Sequence, residues 1–120
     1  MTSRSAQHGV LARGSFAVAV LVSLAVLFAP PSDVPSAPPG VDKVVHLSLF
    51  LALALTARWA GVGRQVAAVS LLVYAAVSEV LQGTYLVGRD AELLDWVADS
   101  VGVLAGLALY AVITRRRATR

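Results

Sequence analysis

The chain has 120 residues, of which 58% are hydrophobic and only 14% charged, against about a quarter charged in ordinary soluble domains. That balance excludes a soluble domain with a polar exterior, and the absence of cysteine excludes a disulfide framework or thiolate chemistry. A net charge of +3 and a pI near 10.0 do not point to nucleic acid. The bases sit at the ends of apolar stretches with no interleaved aromatics, so anionic lipid head groups are the expected partners of Arg115, Arg116 and Arg117.

Four apolar stretches follow one another, at 15–29, 44–59, 66–80 and 93–114. About 20 helical residues cover a hydrocarbon core of about 30 Å, so the first three are short and predict tilt or local bilayer thinning. The expected fold is all-α: one polytopic membrane domain over 1–120, a compact bundle of four transmembrane helices. The spans are placed at 14–30, 43–60, 65–82 and 93–114. Basic residues precede the first stretch as in a secretory signal, but neither Ala29 nor Ala37 ends an A-x-A pattern with a free following residue. The first span is therefore read as uncleaved.

The linker at 31–42 follows Pro30 and holds the other four of the five prolines. Proline cannot donate a backbone hydrogen bond, so the linker is read as extended. Gly61 and Gly63 predict a tight turn between the second and third spans, and a loop at 83–92 joins the third to the fourth. The segment 115–120 is a basic tail. In the fourth span Ala98, Gly102 and Gly106 recur every four residues, a groove that suits close packing within the bundle or a homodimer seam. The oligomeric state stays open. Trp59, Tyr85, Trp96 and Tyr110 fall near span ends, where interfacial anchoring accounts for them.

Charge divides by side. Arg4, Arg13, Arg58, Arg64, Arg115, Arg116, Arg117 and Arg120 flank one face, while all seven acids, with Lys43 and Arg89, flank the other. The positive-inside rule then makes both termini and the Gly61 turn cytoplasmic, in a multi-pass membrane protein.

The chemistry-bearing residues converge on the outer face. Asp42 and His46 are four apart, Glu79 and Gln82 three apart, and Asp95 and Asp99 four apart, so each pair shares a helix face. A carboxylate at the centre of a spanning helix costs roughly 2.5–3.5 kcal/mol, so Asp99 is expected inside the bundle or in a wet cavity. Plainer roles are available too: Asp42 as a helix N-cap, His46 as a hydrogen-bonded interfacial residue, Lys43 and Arg89 as snorkelling bases. A structural salt-bridge cluster competes with a reactive one.

Asp42-Lys43-x-x-His46, Glu79-x-x-Gln82, Arg89, Asp95-x-x-x-Asp99, Gly102 and Gly106 together resemble the VanZ-like family of small bacterial membrane proteins. The order, spacing and helix-end placement agree over about residues 41–106. The family pattern reads Asn where this chain has Asp99. The resemblance implies a small membrane domain acting on lipid head groups or lipid-linked cell-envelope precursors, with a link to resistance against the glycopeptide teicoplanin. It leaves the cofactor open.

On that footing the expected site has Glu79 as base or nucleophile, His46 as its complementary acid or base, and Asp42 orienting His46 or Lys43. Lys43 and Arg89 would hold phosphate oxygens, Gln82 would position the substrate, and Asp95 would fix Arg89. Asp99 is expected to be neutral or paired with Arg89 or Lys43. A divalent cation held by Asp42, Glu79 and Asp95 is a second way to meet a phosphate, although no spacing here is diagnostic of a metal. The alternative to an enzyme is a non-catalytic binder that shields or sequesters a cell-wall precursor or drug.

Overall fold

A computed structural model describes residues 2–30, 32, 38, 40–84 and 93–119, with side chains from Gly9 onward. Most of the proline-rich linker and the loop bearing Arg89, Asp90 and Glu92 lie outside the described residues, and with them the expectations placed on those positions. Among the described residues there are four helices and no strand: α1 (Thr2–Phe28), α2 (Val41–Trp59), α3 (Arg64–Gln82) and α4 (Leu93–Ala118). The outer two overrun their apolar stretches. α1 begins well before residue 14, and α4 continues through Arg115, Arg116 and Arg117, where basic side chains complement the negative end of the helix dipole.

Three helices have segments long and apolar enough to cross a membrane, namely Gly9–Phe28, Arg64–Gln82 and Leu93–Ala118. α2 falls outside that class because its 19 residues include Asp42, Lys43 and Arg58. Those charges lie in its first and last turns and leave an apolar middle. Around the bundle, Val18, Leu21, Val69, Val73, Leu104 and Leu109 are exposed, an apolar exterior suited to lipid rather than water.

Local signals set the helix ends. α2 is preceded by Gly40 at φ 89°, with no side-chain cap, so Asp42 sits inside the first turn instead of capping it. There it favours the positive end of the dipole. The far end of α2 closes by a Schellman motif. Gly61 takes φ 95°, its N–H donates to Arg58 O at 3.1 Å, and Val62 N–H donates to Ala57 O at 3.0 Å. The Arg58 guanidinium also donates to Val62 O at 2.8 Å and lies 4.9 Å from the centre of the Tyr110 ring, which joins α2 to α4 at that end.

The core gathers Leu27 of α1, Phe50, Leu53 and Ala54 of α2, Leu71 and Ala75 of α3, and Val103 of α4. Phe50 meets Tyr74 with ring centroids 5.6 Å apart, and the Tyr74 hydroxyl pairs with Ser23 Oγ at 2.9 Å, linking α1 to α3. α2 and α4 make the most intimate pair. A Cβ on Gly102 would collide with the Leu47 carbonyl oxygen, and one on Gly106 would lie 2.6 Å from Leu51 O. The small-residue groove is thus filled by α2 of the same chain.

Candidate functional site

Because successive helices run antiparallel, the starts of α2 and α4 and the ends of α1 and α3 meet at one end of the bundle. His46 is the hub there. It projects from the second turn of α2, is 1% exposed, and its Nδ1 lies 2.7 Å from Asp99 Oδ1 on α4. An ionised carboxylate only accepts, so with Asp99 charged Nδ1–H donates to it, and the imidazole, when neutral, keeps its lone pair on Nε2. Nε2 faces Asp42 Oδ1 at 3.7 Å and Asp95 Oδ2 at 3.8 Å. Those separations exceed hydrogen-bond length.

The other oxygens of the same two acids turn toward Lys43. Its Nζ lies 2.5 Å from Asp95 Oδ1 and 3.6 Å from Asp42 Oδ2. The side chains of Asp42 and Lys43 are 48% and 32% exposed, whereas that of Asp95 is 5%. The cluster therefore opens to its surroundings on the Asp42–Lys43 side and closes toward Asp99, which is fully buried. Asp99 Oδ2 has no hydrogen-bond partner among the described residues.

Helix periodicity accounts for the convergence. Asp95, Ala98, Asp99, Gly102, Val103 and Gly106 form the buried face of α4, and the two glycines let that face approach α2 closely. The approach places Asp99 beside His46. Glu79, in the last turn of α3, is buried and joins His46 and Asp99 with ligand-bearing atoms all within 4.8 Å of one another. Asp42, His46 and Asp95 form a second such group.

Several expectations change. Asp99 pairs with His46, not Lys43, and Asp95 takes Lys43 as its partner. Both outcomes follow from the register of α2 and α4, which sets Lys43 level with Asp95 and His46 level with Asp99. Gln82 is 1% exposed and donates from Nε2 to Leu27 O at 2.7 Å, so it fastens the end of α3 to the last turn of α1 instead of facing a substrate. The trio Asp42, Glu79 and Asp95 is divided between the two groups, with His46 common to both. Arg89 lies outside the described residues. The half-buried Ser23–Tyr74 pair is not legible in the sequence because two hydroxyl residues 51 positions apart carry no local pattern.

No family model, curated protein or solved structure matches this chain.

Proposed function

We propose that this chain is a VanZ-like integral membrane protein with four membrane spans, whose His46 cluster acts by proton transfer on the head group of a lipid or lipid-linked envelope precursor at the outer leaflet. The observation that carries the reading is the buried His46–Asp99 pair at 2.7 Å, with Nε2 directed to the open side of the cluster. A carboxylate on Nδ1 fixes the tautomer and stabilises the imidazolium formed when Nε2 takes a proton. In a phosphoester hydrolysis, Nε2 takes a proton from water as its oxygen attacks phosphorus. The phosphorus–oxygen ester bond breaks, and the leaving oxygen receives that proton back. Lys43, partly exposed beside the opening, would meet a phosphate oxygen in this reading.

α2 counts as a span in this reading because its charges lie in its terminal turns, where Lys43 and Arg58 can snorkel to head groups. The division of eight arginines from the acids supports termini on the cytoplasmic side of a bacterial inner membrane.

A second reading, a non-catalytic binder that shields or sequesters a precursor or drug, is favoured by one observation. Asp42, Glu79, Asp95 and Asp99 gather about His46 and Lys43, polar groups that recognise a ligand without turning it over. The test compares cells making the wild-type chain, His46→Gln and Glu79→Gln at matched membrane abundance, reading teicoplanin tolerance and the head-group composition of extracted lipids. Catalysis predicts a changed lipid or precursor profile with wild type that His46→Gln abolishes. A tolerance effect with an unchanged profile selects the binder, and an effect undiminished in both variants rejects the cluster as the site.

A further inference from the structure

We propose that the end of the bundle opposite the His46 cluster is a docking surface for anionic phospholipid head groups, with Arg13 of α1, Arg64 of α3 and Arg115, Arg116 and Arg117 of α4 meeting their phosphates. All five side chains are exposed, and none forms an ion pair among the described residues. The described acids supply no counter-charge there. Asp42, Glu79, Asp95 and Asp99 all gather around His46 at the other end. The 19 residues of α3 from Arg64 to Gln82 span about 28 Å, close to the roughly 30 Å of a hydrocarbon core. With the acid-bearing end at one membrane surface, the arginine end therefore reaches the other.

Compensation of the helix dipole does not use up this charge. The C-terminus of a helix carries about half a negative charge, whereas α4 continues through three successive arginines to Ala118. Consecutive helical residues turn by about 100°, so the three guanidiniums fan around the end of α4. Arg64 sits at the positive end of α3, where a base is unfavourable unless an anion lies near it. That helix has no acid in its first turn and no side-chain cap. Arg58 is occupied otherwise, donating to Val62 O and lying over the Tyr110 ring.

The surface around the arginines selects a lipid over a soluble anion. Leu11, Val66 and Ile113 are exposed, each two residues from Arg13, Arg64 and Arg115 in turn. Every guanidinium region thus borders apolar surface that itself needs a hydrocarbon cover. An arginine stem lies along such surface while its head reaches the phosphate plane, where the fork of N–H donors matches phosphate oxygens. Trp59, exposed at the end of α2, lies at the same end, as expected of an indole at head-group depth. The lipid contact expected of Arg115, Arg116 and Arg117 thereby becomes one face shared by three helices, and it stands whichever reading of the His46 cluster holds.

The test uses the two tryptophans, Trp59 and Trp96, which mark opposite ends of the bundle. The full chain carrying Trp96→Phe, so that Trp59 alone emits, is reconstituted in phosphatidylcholine vesicles. Equal fractions of phosphatidylglycerol or phosphatidylcholine brominated near the head group are added to quench the indole, with helix content checked by circular dichroism. Brominated phosphatidylglycerol is expected to bind beside Trp59 at least about fivefold better than brominated phosphatidylcholine, the effect of one arginine at an anionic surface. Salt at about 1 M, where charges are screened within about 3 Å, is expected to remove most of that preference. The combined variant Arg115→Gln, Arg116→Gln and Arg117→Gln, at exposed positions, is expected to lower it by at least half, and the Trp59→Phe chain, reporting from Trp96, is expected to show a smaller one. Equal quenching of Trp59 by the two lipids, a preference as large at Trp96, or a preference indifferent to salt or kept in full by the arginine variant overturns the surface. Loss of the preference on adding millimolar inorganic phosphate at constant ionic strength assigns the arginines to a soluble phosphate and overturns the lipid assignment.

Discussion

At the scale of single residues, Asp99 determines what His46 can do. Its Oδ1 accepts a charge-assisted hydrogen bond in full burial, so Asp99→Asn keeps an acceptor and loses only the charge. That change is expected to cost about 1 kcal/mol, the difference between a charged and a neutral hydrogen bond. Asp99→Leu strands a buried N–H and should cost about 1–3 kcal/mol more. Thermal unfolding in detergent measures both, and a leucine variant as stable as wild type would remove the pair from the account. Gln82 is expected to behave differently from the site residues. Gln82→Leu breaks the bond to Leu27 O and should lower stability by roughly 1 kcal/mol while the response of cells to the protein is kept. Loss of that response from a stable Gln82→Leu chain would restore the residue to the site. The sequence made His46, Asp95 and Asp99 visible because polar residues inside apolar stretches stand out, and Asp42 through its four-residue spacing from His46. It could not tell His46 from Lys43 as the partner of Asp99, because that choice depends on the axial register of two helices about fifty residues apart.

At the scale of elements, the close crossing of α2 and α4 builds the site. Gly102 lies less than one helical turn from Asp99, and its Cα faces the backbone at Leu47, the residue next to His46. Gly102→Ala therefore pushes the helices apart where the His46–Asp99 pair is made. We expect a loss of about 1–3 kcal/mol from overpacking. Gly14, on α1 with nothing near an added Cβ, is the contrast: Gly14→Ala should be neutral or stabilising by about 0.5–1 kcal/mol. Comparing unfolding midpoints of the two variants checks this, and equal effects would mean that α2 and α4 do not pack so closely. The four-residue repeat of Ala98, Gly102 and Gly106 announced a helix contact in the sequence, but not its partner, since a groove of small residues fits a neighbour in the same chain or in another copy. The limits of α1 were less legible. Ser5, Gly9 and Gly14 mark no boundary when the helix simply continues through them.

At the scale of the whole molecule, the apolar composition and the four stretches made an all-helical fold legible. The sequence reading placed a span at 43–60, whereas α2 is outside the helices long and apolar enough to cross, because Asp42, Lys43 and Arg58 lower its apolar character at its two ends. The outer-leaflet assignment depends on which side of the membrane the starts of α2 and α4 face. The chain has no cysteine, so single cysteines placed at Thr84, Val62 and Thr119 report sidedness without background. In intact cells, an impermeant thiol reagent is expected to label the cysteine at Thr84 and to reach those at Val62 and Thr119 only after the membrane is opened. Labelling of Val62 from outside with Thr84 protected would put the His46 cluster on the cytoplasmic face, and labelling of both from the same side would show that α3 does not cross.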